Sequence, residues 1–203
     1  MSSIWTLPLW TACLYWGGVA VNAAMIKRRT GNSPSLRPRQ ALDYWLWLAW
    51  ASIIGLWSTS PWITMSENAL YSSFASSLVG YLLITTGFLG TWWCYITLGN
   101  AWAISVNEST TNQLIESGPY RHVRHPIYAL QWLIIFGSFL ACPSIALLIS
   151  LAILTVAMHK KATFEESALT AIFNEDYRSY MSRTGRFLPS LRNSRLLASP
   201  HQQ

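Results

Sequence analysis

Two arginines, two histidines and two tyrosines lie within the eleven residues from Gly118 to Tyr128. The run reads Gly-Pro-Tyr-Arg-His-Val-Arg-His-Pro-Ile-Tyr, and an apolar segment follows it directly. Arginine and protonated histidine make charge-assisted hydrogen bonds to carboxylates, and tyrosine rings offer their faces to cations. This density of polar groups beside an apolar segment predicts a site that holds a polar ligand at a membrane surface.

A second group of ionisable and aromatic residues follows the last apolar segment. Glu165 begins a series with spacings of four, four, four and three residues, which places its members on one face of a helix. Glu166 directly follows it, and Lys160 and Lys161 precede the pair. Asn174 interrupts the series and favours a helix break, because asparagine tolerates the left-handed conformation. The series consists of Glu165, Leu169, Phe173, Tyr177 and Tyr180.

The composition indicates a membrane protein. Of the 203 residues, 52% are hydrophobic and 11% are charged, and 12 are tryptophan. Soluble domains contain about 25% charged residues, and tryptophan is enriched at membrane interfaces. A single domain, residues 1–203, is the natural division at this length. Cys13, Cys94 and Cys142 lie in apolar stretches and are expected to be buried thiols, with no sign of a disulfide framework or a zinc site.

Five apolar segments can be drawn along the chain. The first three meet the requirement of about 20 residues for a spanning helix. The last two are shorter and are joined by Cys142-Pro143, so that they can form a helical hairpin. Alternatively, the fifth continues past the membrane surface into the polar helix that follows. The segments are 4–26, 43–62, 71–98, 126–141 and 143–158.

All 14 lysines and arginines lie in alternate connections between these segments. Positive charge concentrates in cytoplasmic loops of membrane proteins. We therefore expect an all-α, multi-pass integral membrane protein with five transmembrane helices. Its N-terminus is predicted to lie outside, and a C-terminal helical extension in the cytosol, with residues 190–203 as a loose polar tail. The net charge of +6 then reflects topology and does not indicate nucleic-acid binding.

The polar run, the glutamate pair and the aromatic series together resemble the isoprenylcysteine carboxyl methyltransferase family. The related membrane phospholipid methyltransferases share this pattern. The resemblance covers about residues 95–189, whereas the first two spans are similar only as generic membrane helices. The pieces that carry it are Ser117-Gly118-Pro119-Tyr120, Arg124-His125-Pro126-Ile127-Tyr128, Glu165-Glu166, and Phe173-Asn174-Glu175-Asp176-Tyr177 with Tyr180.

This resemblance implies a membrane-embedded methyltransferase that uses S-adenosylmethionine without a Rossmann domain. It implies a cytosol-facing cofactor pocket between the loop before the fourth span and the helix after the fifth. The acceptor is expected to be lipophilic and to enter from the bilayer: a prenylcysteine carboxylate, a phospholipid amine, or another lipophilic thiol or acid. The residues expected to bind the cofactor are Asn112, Gln113, Leu114, Ile115, Tyr120, His125, Pro126, Ile127, Tyr128 and Glu165.

Lys161 and Arg124 are the residues expected to take part in catalysis. Lys161 stands where the isoprenylcysteine enzymes carry an arginine that is associated with the acceptor carboxylate, and Lys160 is the alternative counterpart. Lysine lacks the bidentate fork of arginine, so this position favours a carboxylate acceptor less strongly. Arg124 or His125 can bind the carboxylate of the cofactor. A second departure from the family pattern is Asn174, where glycine is usual.

Other functions stay open at this point. Membrane reductases of the sterol type resemble the C-terminal pattern and use NADPH, although their chains are usually much longer. A non-catalytic protein that keeps the scaffold is a further alternative. A metal site at His122 and His125 is not expected, because Pro126 prevents a regular helix there and no cysteine or acid lies at a suitable spacing.

Several residues near the predicted site have structural explanations of their own. The glutamate pair can form a solvated helix face with Lys160 and Lys161. Tyr177 and Tyr180 are expected to pack in the interior more than to contact a ligand. Arg186 and Phe187 are expected to clamp the end of the polar helix at the membrane surface.

Overall fold

The computed structural model describes residues 6–31, 41–66, 70, 73–102 and 113–190, and within these ranges the architecture is all-α. Each of the five predicted apolar segments forms a helix. Short 3-10 turns at Gly99–Ala101 and Gly118–Arg121 precede the fourth of them. The helices are α1 (Leu7–Thr30), α2 (Ala41–Ser66), α3 (Phe74–Leu98), α4 (Pro126–Ala141), α5 (Ile145–Phe173) and α6 (Glu175–Arg183).

The helix ends follow the local sequence. Gly31 ends α1 with φ of 73°, and its N–H donates to the carbonyl of Lys27, as expected for a left-handed C-cap. Ser73 caps α3, and Ser144 caps α5 by accepting a hydrogen bond from the N–H of Leu147 at 3.2 Å. Pro126 opens α4, where its missing N–H has no helical partner to lose.

Contacts between α1, α3 and α4 show that α1 and α3 run in the same direction and that α4 runs opposite to both. Near one end, Ile26 and Tyr95 share a cluster with Ile127 at the start of α4. Near the other end, Ser76 Oγ donates to the carbonyl of Leu140 at 2.9 Å. The last turn of α1, which carries Lys27, Arg28 and Arg29, therefore lies at the same end of the bundle as the loop of residues 118–125. We call this the basic end.

The pair α3 and α4 is held by backbone contact at two glycines. A Cβ on Gly80 would lie 2.6 Å from the carbonyl oxygen of Gly137, and a Cβ on Gly137 would lie 2.6 Å from that of Gly80. Any larger side chain at either position would push the helices apart. This contact fixes α4, whose first residues carry part of the predicted site.

Among the described residues, three helices are long and apolar enough to cross a membrane, namely Leu7–Thr30, Phe74–Ala101 and Ile145–Phe173. Large apolar side chains cover their outer faces, such as Leu82 and Leu89, which are 60% and 68% exposed. Such a surface suits lipid and not water, so the protein associates with a membrane. The helix α4 has 16 residues. The five-span topology and its orientation stay predictions.

One of the three cysteines departs from the expectation of burial. Cys94 and Cys142 are buried as predicted, but Cys13 is exposed. Cys13 lies beside the exposed Leu14 on the face of α1 that is turned away from the bundle. The apolar sequence around Cys13 was therefore a sign of contact with lipid and not of contact with protein.

The fifth apolar segment does run on into the polar helix. After its apolar first half, α5 continues from His159 to Phe173, past the basic end of the bundle. Asn174 then breaks the helix as predicted, with φ of 48°, and α6 begins at Glu175. This reversal returns residues 184–187 to the loop before α4.

Candidate functional site

A short parallel pairing joins the loop before α4 to the segment after α6. Val123 and Gly185 form an isolated bridge. The N–H of Arg124 donates to the carbonyl of Gly185 at 2.8 Å, and the N–H of His125 donates to that of Arg186 at 3.0 Å. The polar run is thus fixed by residues about sixty positions later in the chain.

Glu166 is the centre of a charged cluster behind this pairing. Arg124 Nε donates to its Oε1 at 2.8 Å, and Arg186 donates to both of its carboxylate oxygens, with the Nε contact at 3.2 Å. Burial raises the pKa of this carboxyl, but the attraction of His125, Arg186 and Arg124 is larger and lowers the pKa to about 2. Glu166 is therefore ionised at neutral pH and holds the two guanidinium groups in place.

Arg124 also ties the loop to the end of α6. Its Nη1 donates to the carbonyl of Met181 at 3.1 Å and to that of Thr184. The side chain is 12% exposed. These contacts use the guanidinium group to join α5, α6 and the loop, which favours a positioning role. The predicted catalytic role of Arg124 stays a prediction.

Glu165 lies beside Glu166 but has a different set of partners. Tyr128 donates its hydroxyl to Oε1 at 2.7 Å, and Lys161 Nζ lies 3.2 Å from the same oxygen. His125 Nδ1 lies 3.5 Å from Oε2. The side chain is 13% exposed. The structure thus brings together Glu165, Tyr128, His125 and Lys161, all four of which the sequence predicted for the site.

His125 is packed tightly, yet one of its nitrogens makes no hydrogen bond among the described residues. Its ring stacks on Tyr128 with centroids 5.4 Å apart and 5° between the planes, and Phe187 lies on another side at 6.1 Å. Nε2 is 3.3 Å from Glu166 Oε1 but is not aligned for a hydrogen bond. A buried and fixed ring nitrogen that lies beside a carboxylate without an aligned hydrogen bond is a candidate contact for a ligand.

Tyr120 packs with Tyr177 and Tyr180 of α6 beneath the loop of residues 118–125. Tyr180 donates its hydroxyl to the carbonyl of Tyr120 at 2.6 Å, and Tyr177 is 1% exposed. The prediction that Tyr177 and Tyr180 pack in the interior is confirmed. Burial raises the pKa of the Tyr120 phenol well above its ordinary value, so the phenol stays protonated.

Glu116 forms an ion pair with Arg183 of α6, so the preceding segment from Gln113 to Ile115 lies near α6. Gln113 is exposed, and Leu114 and Ile115 are half-buried. Their predicted contacts with a cofactor stay predictions. Asn112 lies outside the described residues.

Pro126 and Ile127 begin α4, but neither carries a group for polar contact. Pro126 is buried, and Ile127 packs against the cluster of Ile26, Tyr95 and Trp102. Their position supports the loop and orients His125 and Tyr128. Their predicted contact with the cofactor stays a prediction.

Sequence reasoning underrated three residues at this site. Glu166 is 7% exposed and bound by two arginines, so it does not form a solvated face with the lysines. Arg186 also reaches Thr163 Oγ1 at 3.2 Å. Phe187 closes one side of His125. The available signal was the presence of two arginines, Arg124 and Arg186, that could pair with the second glutamate. Arg186 and Phe187 do hold the segment after α6 against Glu166 and His125, and the expected place of this clamp at the membrane surface stays a prediction.

Comparison with known proteins gives a family and two relatives. A sequence model of the phospholipid methyltransferase family matches residues 75–176. The chain is 29% identical over 140 residues to the cobalt-zinc-cadmium resistance protein CzcN of Cupriavidus metallidurans, covering 68% of this chain and 64% of that protein. It is 28% identical over 140 residues to the nickel-cobalt-cadmium resistance protein NccN of Alcaligenes xylosoxydans xylosoxydans, covering 68% and 65%. Both matches span less than two thirds of the relative.

Proposed function

The chain belongs to the phospholipid methyltransferase family, part of the isoprenylcysteine and phospholipid methyltransferase superfamily, and from this premise we propose that it transfers a methyl group from S-adenosylmethionine to a lipophilic acceptor. The observation that carries the proposal is the cluster of His125, Tyr128, Glu165 and Lys161 at the basic end of the bundle. The matched range contains all four residues.

The described groups suit this cofactor. S-adenosylmethionine has a carboxylate, an amino group and ribose hydroxyls, and it supplies a methyl group activated by a sulfonium. Glu165 can accept hydrogen bonds from hydroxyl or amino groups. Nε2 of His125, which makes no aligned hydrogen bond, can contact a polar atom of the cofactor. The face of Tyr128 that is not stacked on His125 can stabilise a cation.

Glu166 and its arginines serve this site indirectly. They lock the loop against the segment after α6, so that His125 and Tyr128 keep their orientation before a ligand binds. Methyl transfer needs the donor carbon, the sulfur and the attacking atom in line, and preorganised groups contribute much of the rate. Phe187 covers His125 and excludes water from this side of the site.

Lys161 is the candidate contact to the acceptor. Its Nζ lies at Glu165, and its side chain is 15% exposed. Lys160, the preceding residue of α5, is exposed. This difference favours Lys161 over Lys160 as the counterpart of the family arginine. A cation between the cofactor site and the apolar bundle can hold a polar group of an acceptor that arrives from the bilayer.

The proposal is tested by equilibrium binding of S-adenosylhomocysteine and of NADPH to the detergent-purified protein. We expect S-adenosylhomocysteine alone to bind, and Glu165→Gln to weaken it by roughly 10-fold or more, since a hydrogen bond to a charged group contributes about 1.5–3 kcal/mol. Glu175→Gln is the matched control, because Glu175 is 80% exposed and pairs only with Arg178 among its described partners.

Binding of NADPH in place of S-adenosylhomocysteine would overturn the proposal and favour a reductase of the sterol type. Binding of S-adenosylhomocysteine without methylation of any prenylcysteine or phospholipid probe would favour a non-catalytic role. With binding established, transfer of a labelled methyl group into prenylcysteine carboxylates and phospholipid amines identifies the acceptor.

A further inference from the structure

Four basic side chains at the basic end of the bundle are exposed and form no ion pair among the described residues. They are Lys27, Arg28 and Arg29 in the last turn of α1 and Arg121 in the loop before α4. We call these four residues the cationic rim. Four other arginines, in the same loop and in the C-terminal extension, differ from the rim because each is joined to a glutamate. These paired residues are Arg124, Arg178, Arg183 and Arg186.

The α1 part of the rim lies where a spanning helix leaves the hydrocarbon of a bilayer. Leu7–Thr30 is long and apolar enough to cross a membrane. Its 24 residues extend about 36 Å, whereas the hydrocarbon core is about 30 Å thick. The difference places Lys27, Arg28 and Arg29 at the level of the lipid headgroups, where basic side chains meet phosphate groups.

Arg121 lies beside exposed tryptophans of α3. The turn Gly118–Arg121 begins against this helix, since a Cβ on Gly118 would lie 2.8 Å from Thr97 Oγ1 and 3.4 Å from Trp93 Nε1. Such a turn rises about 2 Å per residue, so the backbone of Arg121 lies about 6 Å from that contact. Trp92 and Trp93 are 56% and 57% exposed. A guanidinium group therefore borders the kind of aromatic surface that is enriched at membrane interfaces.

We propose that the cationic rim binds anionic phospholipids, with the phosphate at the basic side chains and the beginning of the acyl chains against Trp92 and Trp93. Charge complementarity selects the headgroup: the rim attracts a lipid with net negative charge, such as phosphatidylglycerol, more strongly than phosphatidylcholine, which carries its own cation. The adjoining apolar surface favours a lipid over a soluble acidic partner, since a lipid matches both the cations and the tryptophans.

This inference is separate from the proposed function. Phosphatidylglycerol has neither an amine nor a carboxylate, so the bound lipid is a neighbour of the protein and not its methyl acceptor. The rim also lies apart from Glu165 and Lys161, the groups assigned to the cofactor and the acceptor. The experiment below contains no methyl donor, so its outcome does not depend on methyl transfer.

The test measures quenching of tryptophan fluorescence in bilayers that hold the full-length protein and equal amounts of phosphatidylglycerol and phosphatidylcholine. Only one of the two lipids carries brominated chains in each sample. Bromine quenches the tryptophans that it contacts, so the preferred lipid quenches more strongly when it is the brominated one. We expect a preference for phosphatidylglycerol of roughly 3-fold or more at low salt, and a smaller preference at about 0.5 M salt, where charges are screened within about 4 Å. Equal quenching by the two lipids would overturn the proposal.

Arg121→Gln tests the rim without changing a spanning helix. It should lower the preference for phosphatidylglycerol by roughly 2–5-fold, as expected for one basic residue at an anionic surface, and Arg121→Lys should retain the preference. Arg178→Gln is the matched control, because Arg178 is 62% exposed but is paired with Glu175. An equal loss in Arg121→Gln and Arg178→Gln would show a general effect of net charge and would count against a site at the rim.

The α1 part of the rim is tested by the triple change Lys27→Gln, Arg28→Gln and Arg29→Gln, which should lower the preference at least as far as Arg121→Gln does. An unchanged preference in both neutralised proteins would show that these cations serve only the topology, and would refute the lipid site. Glycerol phosphate, which has a phosphate but no acyl chains, should leave the quenching unchanged. Its displacement of phosphatidylglycerol would assign the rim to a soluble phosphate and overturn the proposal.

Discussion

Replacing Glu166 by glutamine should destabilise the protein far more than replacing an exposed glutamate of the same extension. Glu166 is 9% exposed in its side chain and joins Arg124 and Arg186, which are 12% and 28% exposed. Its pKa falls from 4.5 to about 2, and one pKa unit corresponds to about 1.4 kcal/mol. The shift corresponds to a few kcal/mol, which solvent near Arg186 reduces to roughly 2–3 kcal/mol.

The assay is thermal unfolding of the detergent-purified protein at several pH values. For a chain of this length, 2–3 kcal/mol lowers the midpoint by roughly 4–12 °C. Because the folded-state pKa is lowered, the stabilisation by Glu166 is fully present above pH 4.5 and is lost as the pH falls towards 2. Glu166→Gln should therefore lower the midpoint at neutral pH and lose part of the acid sensitivity.

The matched control is again Glu175→Gln, since Glu175 and Arg178 are 80% and 62% exposed and exposed pairs contribute about 0–1 kcal/mol. If Glu166→Gln unfolds at the same temperature as Glu175→Gln, the reasoning about the buried cluster is refuted. An unchanged dependence on pH in Glu166→Gln would refute the assignment of the acid sensitivity to this carboxylate.

Two further predictions concern the acceptor contact and the packing of α4. Lys161→Ala should lower the rate of methyl transfer by roughly 10–100-fold, as expected for a lost charge-assisted hydrogen bond. Its effect on S-adenosylhomocysteine binding should be smaller. Equal turnover in Lys161→Ala and the control Lys160→Ala would contradict the acceptor role. Gly137→Ala should lower the free energy of unfolding by about 1–3 kcal/mol, as overpacking does, because its Cβ would lie 2.6 Å from the carbonyl oxygen of Gly80. Gly17→Ala is the control, since a Cβ on Gly17 meets nothing within 4 Å. Thermal unfolding should therefore show a lower midpoint for Gly137→Ala, and matching midpoints would exclude a tight contact between α3 and α4.

The helices could be predicted from the sequence because each one depends on its own residues. Apolar runs of sufficient length, Pro126 at a helix start and Asn174 at a helix break are local signals, and all of them correspond to observed boundaries. The exposure of Cys13 could not be predicted in this way. In a lipid environment both faces of a helix are apolar, so hydrophobicity does not tell the face that contacts protein from the face that contacts lipid.

The contacts between the side chains of the site could not be predicted from local sequence patterns, since these side chains come from three separate parts of the chain. The polar run and the glutamate pair were both recognised, but nothing in the sequence indicated that Arg186 would return to Glu166 after the reversal at Asn174. The pairing of Val123 with Gly185 is a single bridge, and no pattern of alternating residues in the sequence predicts it. Contacts of this kind depend on the tertiary fold.

The adjacent Glu165 and Glu166 show how one helix can carry a residue that stabilises the fold beside a residue available to a ligand. Neighbouring residues on a helix point about 100° apart, so Glu166 faces the loop and the segment after α6, while Glu165 faces α4 and Lys161. Glu166 meets arginines, which stay charged at every accessible pH, so its ion pairs persist above its own lowered pKa. Glu165 meets a tyrosine hydroxyl and a lysine, partners that can exchange for the groups of a ligand. A glutamate pair therefore provides one fixed anchor and one adaptable acceptor, and substitution of the two residues should separate stability from binding.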